Sequence, residues 1–507
     1  MQTEVPVVMA TIDIGAHSVR MLIAEVSPDM SFEVMEYLEQ RIPLGSDVFK
    51  NGRISNKDIL LLCEIFRNFR QKMDEYDIKL YKAIATSAVR EASNSDIFIE
   101  RIEQASGIKV NIFEGVDGAR LDYLTVNRDI PAKYGFNKKR MLIADIGTGA
   151  CQVSAYENGN ICFTETIRIG TLRILEVMPS TVSFAGMKQS LTPFVNKSFG
   201  ELEHIAYSLK AEGLVAMGSS VRAIALLAKG INHGEKALNI SHKKFNEIYL
   251  TAAQKSVEKI VRDYKISHGL AEAITPCCLI IDYLFRITGA EHLIVPMTST
   301  KDALLLDFIS QTFGEKDYFA PQIESIVKRL AEKYKCNNSY TMRTVLIAEM
   351  LFSNLQELHG LGQKELFLLK IAAHLHKAGL FINNQAYHKH SYYLINSSDI
   401  PGINRRGRQI VAAVARYHRK SFPKPAHFEY MALSPHERIV VNKLAAILRV
   451  ACGLAEACSS EKHFKLKIKE DSVEVKLLNS DIAADKAYLE MDAGFFFHVF
   501  ARRMIFI

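Results

Sequence analysis

Met141-Leu-Ile-Ala-Asp145-Ile-Gly147-Thr148-Gly149-Ala-Cys-Gln152-Val-Ser154 is the most informative segment of this 507-residue chain. An apolar run of strand type, Met141 to Ala144, delivers a carboxylate, Asp145, into a turn with glycines at 147 and 149; an apolar/polar alternation from Gln152 to Tyr156 leaves it. Glycines let the backbone approach an anion and aim N–H groups at it, and the acid can hold a cation directly or through water. A second copy precedes it. Thr11-Ile-Asp13-Ile-Gly15-Ala-His-Ser18-Val-Arg20-Met-Leu-Ile-Ala24 repeats the acid–Ile–Gly turn between apolar strands, 132 residues upstream (13 to 145). Two such hooks predict a duplicated α/β domain over the first 310 residues, with a phosphate site in the cleft between the copies.

Composition narrows the function classes. Hydrophobic residues make up 48% of the chain, enough for several domains. No apolar run reaches the ~18 residues a membrane span needs, and the first ten residues, which lack a basic segment, do not resemble a signal peptide. The eight cysteines (63, 151, 162, 277, 278, 336, 452, 458) form no Cys-x-x-Cys pair and read as reduced thiols of a cytoplasmic protein. Net charge is +7, and its excess is concentrated in 386–425: Lys389, Arg405, Arg406, Arg408, Arg416, Arg419, Lys420 and Lys424 against Asp399 alone. Interleaved with Tyr387, His388, His390, Tyr392, Tyr393, Tyr417 and His418, these cations predict a polyanion groove lined by Lys389, His390, Arg405, Arg406, Arg416, His418, Arg419 and Lys420. No motif that reads bases accompanies it, so neither nucleic acid nor a membrane is the expected partner.

Along the chain, a polar turn is expected over 45–52 and a helix capped by Ser55 through Tyr76. Strand Tyr81–Ala85 leads into Thr86-Ser87-Ala-Val-Arg90, a hydroxyl-rich helix start suited to an anion. A helix over Ser95–Ser106 and a strand over Val110–Phe113 open into Glu114-Gly-Val-Asp117-Gly118-Ala-Arg120 at the start of a further helix. In the second half a strand over Gly213–Ala216 ends in Met217-Gly218-Ser219-Ser220, a third phosphate-facing loop. From Pro321 to about Glu456 apolar residues recur at helical spacing, and the last fifty residues switch to strand-type alternation.

These motifs together resemble the exopolyphosphatase / guanosine-pentaphosphate phosphatase (Ppx/GppA) family. The resemblance rests on Asp13-Ile-Gly-Ala-His-Ser-Val-Arg, Ala85-Thr-Ser-Ala-Val-Arg-Glu-Ala-Ser-Asn, Gly115-Val-Asp-Gly-Ala-Arg-Leu, Asp145-Ile-Gly-Thr-Gly and Gly218-Ser-Ser-Val-Arg. His374-Leu-His376-Lys-Ala-Gly, Tyr387-His-Lys-His-Ser-Tyr-Tyr-Leu-Ile and Arg416-Tyr-His-Arg-Lys extend it to the long-form members. It implies duplicated actin-like (ribonuclease H-like) α/β domains, 1–134 and 135–310, with the active site between them. An all-α HD-like domain (311–458) and a small α+β domain (459–507) would follow, often as a homodimer with a basic channel. The implied reaction is Mg²⁺-dependent release of terminal phosphate from polyphosphate or guanosine pentaphosphate.

The chain also departs from the family pattern. Where Gly-x-Glu-Glu-Ala is usual, it has Asp117-Gly118, so the second glutamate, taken as the base that activates water, is missing. Where Asp-x-Gly-Gly-Gly-Ser-Thr-Glu is usual, it has Ala150-Cys151-Gln152, losing two hydroxyls and a carboxylate. His17 replaces a typical asparagine, Gly218-Ser219-Ser220 stands for Gly-Gly-Thr, and the HD pair is His376-Lys377, which excludes an HD-site metal from the expectation. What remains can still position a phosphoryl group: Asp13, Gly15, Ser18, Arg20, Thr86, Arg90, Gly147, Thr148, Gly149, Gly218, Ser219 and Ser220 as phosphate ligands, with Asp13 and Asp145 placing Mg²⁺ through waters. Asp117 is the nearest stand-in for the base and equally a helix cap; Glu114 and Asp122 are further acids, and Gln152 can orient water without taking its proton. Slow hydrolysis and binding without turnover are both consistent with this set.

Overall fold

The computed structural model describes residues 6–177, 184–229, 235–313, 319–457, 464–477, 489 and 493–507; Cys458 lies outside them. It divides into two compact units at Ala320.

The first unit is built on two sheets of matching design. In the first, β1 (Val7–Ile14), β2 (Ser18–Val26), β3 (Phe32–Arg41), β4 (Leu80–Ala85) and β5 (Val110–Ile112) lie in the order β3-β2-β1-β4-β5. The second contains β6 (Arg140–Ile146), β7 (Cys151–Glu157), β8 (Asn160–Ile167), β9 (Gly213–Met217), β10 (Ala237–Ser241) and β11 (His292–Pro296) in the order β10-β11-β9-β6-β7-β8. From β8 to β11 this repeats the first sheet: an antiparallel hairpin pair on one side of the central strand and parallel strands on the other. Only β10, antiparallel to β11, is added. Central strands covered on both faces explain why Met9–Ile12 and Met141–Ala144 are buried without a break. The duplicated α/β architecture read from the two hooks is present.

Helices cover the sheets where their apolar stripes dictate. Helix Asn56–Glu75 starts at Ser55, whose hydroxyl accepts the Asp58 N–H at 3.2 Å, and buries Ile59, Leu62, Phe66, Phe69 and Met73 against the first sheet. Segment 45–52 is not the turn expected. It forms helix Leu44–Asn51, which buries Leu44 and Val48 one turn apart and ends at Gly52 with φ 69°. The edge strands β3 and β8 are half polar, which conceals them in the sequence. A further correction concerns the boundary expected at 310/311, which falls inside helix Thr300–Phe313. Leu305 and Ile309 of that helix pack on Met9, Leu22, Ala24 and Val26, so the chain returns from the second domain to cover the first sheet.

The second unit is helical until residue 457. Helix Pro435–Ala457 is its buried axis, with Val441, Leu444, Ile447, Leu448 and Leu454 fully enclosed. Helices Ser339–Asn354, Gln363–Leu375 and Arg405–Arg416 pack on it, and β12 (Phe464–Ile468), β13 (Ser472–Leu477) and β14 (Arg503–Phe506) form a small sheet at the end. Among the described residues no helix is long and apolar enough to cross a membrane.

Candidate active site

A cavity of about 490 Å³ opens in the first unit where the two central strands end. Asp13 and Asp145, each the penultimate residue of its strand, both line it. Hairpin register sets Asp13 opposite Arg20, 3.6 Å away, and Asp145 opposite Gln152. Burial pushes both carboxyls above their ordinary range; Arg20 opposes and Glu39 adds to this for Asp13, while Arg222 opposes and Asp13 adds to it for Asp145. Arg222, on the same helix as Ser219 and Ser220, was part of the sequence motif yet absent from the expected ligands; its Nη1 donates to the Thr298 carbonyl at 3.3 Å.

The residues expected to bind an anion converge on the same cavity. Gly15, Ser18, Arg20, Thr86, Arg90, Gly147, Thr148, Gly149, Gly218, Ser219 and Ser220 all contribute to its wall. Not every expected donor is available. The Gly15 and Gly147 N–H groups close their own hairpins onto Ser18 and Ala150 carbonyls at 2.9 and 3.0 Å, and Thr86 Oγ1 donates to the Ile14 carbonyl at 3.1 Å. What faces a ligand is the Thr148–Gly149 tip and the start of helix Ser219–Lys229, whose first N–H groups have no intrahelical partner. Gly218 sits at φ 119°, with an added Cβ inside contact distance of the Ile146 carbonyl, so no side chain fits at this crossing of loops. Tyr37, Glu39 and Arg41 of β3 complete the rim with His17. Their i, i+2, i+4 spacing was the signal available in the sequence.

Helix Gly115–Asp129 carries the acids expected near the base position. Asp117 is not in the cavity wall: its Oδ2 accepts the Glu114 N–H at 3.0 Å, forming the capping bond at the helix start. In this structure Asp117 is a helix cap, the second of its two expected roles, because a short acid at the third helical position reaches back to its own backbone more easily than forward to a ligand. Burial raises its pKa to about 6. Glu114 and Gly118 do face the cavity. At Gly118 an added Cβ would stand 3.8 Å from Gln152 Cγ and 3.9 Å from Phe113, ordinary contact distances. Gln152 is fixed opposite it: Thr166 Oγ1 donates to Oε1 and Nε2 donates to Thr164 Oγ1, both at 2.5 Å. Asp122 is enclosed behind the wall, pushed well above the usual carboxylate range by burial and by Asp145.

In the second unit the expected groove is reduced. His418 is 4% exposed, with Nδ1 on the Ala415 carbonyl at 2.5 Å and Nε2 on Tyr387 Oη at 3.2 Å, so it belongs to the core. Arg416 is held by Glu429 at 3.3 Å and packs over the rings of Tyr392 and Tyr417. Arg419 stacks on Tyr387, and His390 is half-buried; Lys389, Arg405, Arg406 and Lys420 remain exposed. The apolar packing of helices 387–396 and 405–416 draws half the basic segment inward, which composition alone does not show. His374 and His376 are buried, the latter with its Nδ1 on the Ala373 carbonyl, and Lys377 lies 3.5 Å from the centre of the Tyr340 ring.

Comparison with known proteins agrees with this geometry. The Ppx/GppA phosphatase family profile matches residues 22–311, and that of Ppx/GppA phosphatase domain III matches 324–493. A guanosine-5'-triphosphate,3'-diphosphate pyrophosphatase of Pseudoalteromonas translucida is 24% identical over 93% of this chain and 92% of its own. The protein of that name from Aliivibrio fischeri strain MJ11 is 22% identical over 92% of each. Among solved structures, an exopolyphosphatase from Cytophaga hutchinsonii superposes with a TM-score of 0.55 at 18% identity, covering 60% of this chain and 98% of that one. The Aquifex aeolicus Ppx/GppA family member gives 0.51 at 20% identity, covering 61% and 99%. With twin acid-tipped hairpins on one cavity and profile matches over most of its length, the chain belongs to the Ppx/GppA phosphatase family.

Proposed function

We propose that this protein is a phosphoanhydride hydrolase that releases terminal phosphate from inorganic polyphosphate and/or guanosine pentaphosphate. The observation that carries the reading is Asp13 and Asp145 lining one cavity with Thr86, Arg90, Arg222 and the 147–149 and 218–220 loops. Positively charged and N–H donors fixed around a transferring phosphoryl group offset the charge it develops. Asp13 and Asp145 both line the cavity, and their carboxylates would hold a hydrated Mg²⁺ against the charge of neighbouring Arg20 and Arg222. Bound there, Mg²⁺ would neutralise phosphate charge. Gln152, with its amide fixed by two threonines, orients the attacking water but accepts no proton. The reaction is therefore slow, since loss of a general base costs on the order of 10²–10⁴-fold.

Bare Gly118 also favours a second reading, a polyphosphate- or alarmone-binding protein of the same fold that does not turn over. Phosphate release and calorimetric binding, each with polyphosphate, guanosine pentaphosphate and ATP with and without Mg²⁺, separate the two. Release with Mg²⁺ supports the hydrolase; tight binding with none refutes it. A cytoplasmic homodimer is part of this proposal, and sedimentation tests its stoichiometry.

A further inference from the structure

The Thr148–Gly149 tip is seated on the first domain as well as its own, and one side chain outside the cavity wall makes the connection. Arg173 is on helix Thr171–Val177 of the second domain, and its side chain is 16% exposed. Its Nε donates to the Gly149 carbonyl at 2.5 Å, and its Nη2 donates to both oxygens of Glu91 at 2.6 and 2.5 Å. Its guanidinium carbon lies 3.8 Å from the centre of the Phe49 ring. Glu91 ends the short helix that begins after Thr86 and carries Arg90, and Phe49 is on helix Leu44–Asn51, both in the first domain. The surroundings confirm a fitted joint. An added Cβ at Gly149 would fall inside contact distance of Ser87 Oγ and 2.6 Å from Phe49, and one at Gly45 would meet Leu172 at 2.8 Å. Lys50 pairs with Glu176 alongside.

We infer that Arg173 is a positioning residue: it clasps the phosphate loop of the second domain to the Thr86–Arg90 turn of the first, so that the two halves of the anion site form in register. The inference rests on the phosphohydrolase reading for its kinetic consequence. A half-buried guanidinium using one face for a ring, one edge for a carboxylate and a third donor for a loop carbonyl leaves that loop little freedom. Planarity of the peptide then fixes the neighbouring N–H direction along with the carbonyl. Misplacement of a reacting group by about 1 Å costs on the order of 10²-fold in rate.

The test compares wild type, Arg173→Met, and the reversed pair Arg173→Glu/Glu91→Arg for kcat, KM, thermal midpoint and calorimetric affinity for tetraphosphate. Arg173→Met is expected to lower kcat about 10²-fold with KM changed far less, and to weaken tetraphosphate binding although residue 173 does not touch the anion. The reversed pair regains the ion pair but not the donor to Gly149, so it recovers thermal midpoint and leaves kcat depressed. Wild-type kcat and affinity in Arg173→Met, or recovery of kcat together with midpoint in the reversed pair, overturns the inference. A wild type that binds tetraphosphate without releasing phosphate refutes the hydrolase reading, and weaker binding in Arg173→Met then still upholds the clasp. No tetraphosphate binding by wild type overturns both.

Discussion

On the hydrolase reading, replacing Gly118 with glutamate should raise turnover. The position faces the cavity on the first turns of helix Gly115–Asp129, and an added Cβ would meet nothing nearer than 3.8 Å. Backbone strain does not oppose the change, because residue 118 is helical. Glycine in a helix costs roughly 0.5–1 kcal/mol relative to alanine, so stability should hold or rise slightly. The new carboxylate would stand beside Gln152 and near Arg90, which already senses Glu114. If it accepts the proton of the attacking water, kcat gains about 10²–10⁴-fold, or about 3–5 kcal/mol off the barrier. Phosphate release from guanosine pentaphosphate and from long polyphosphate with Mg²⁺ measures this, with tetraphosphate affinity and thermal midpoint as controls. A folded Gly118→Glu protein that binds tetraphosphate as wild type does, yet shows no rise in kcat, would refute the claim that a missing base limits this site.

Other outcomes follow from the same geometry. Asp117→Asn should leave turnover within a few-fold, since the side chain caps the helix; a loss beyond 10²-fold would return Asp117 to the chemistry. With its folded pKa near 6 against 3.8, Asp117 holds a proton more tightly in the native state. Stability should therefore fall as pH rises from about 4 to 6, by about 3 kcal/mol at most, and Asp117→Asn should flatten that decline in chemical denaturation. His376 has the opposite sign: burial lowers its pKa from 6.5 to about 3, so the fold keeps it neutral. Stability present above pH 6.5 should be lost as pH falls, about 3 kcal/mol by pH 4.5, with a shallower slope in His376→Leu measured by urea unfolding. Finally, Arg405→Ala/Arg406→Ala should weaken long polyphosphate more than tetraphosphate and reduce the salt dependence; equal losses for both lengths would exclude a channel at these exposed cations.

The sequence by itself determined the duplicated fold and most of the residues that line the cavity. Short-range chemistry encodes both: an apolar strand, an acid at its end and glycines in the turn are contiguous, so Asp13, Asp145 and the glycine loops are legible without long-range information. The same holds for Ser55 and its helix, where the cap and the apolar stripe lie side by side in the chain. What depends on side-chain direction was decided only by the tertiary structure. Asp117 and Gly118 are adjacent in sequence, yet one turns back to the helix start and the other faces the cavity. Arg416 and His418 belong to a basic run, yet packing of their helix and the following turn draws both inward. Arg173 meets Glu91 and Phe49 only because two domains fold against each other. A local pattern fixes which groups are present and how the backbone turns; where a side chain points, and what it meets from a distant part of the chain, is settled by packing.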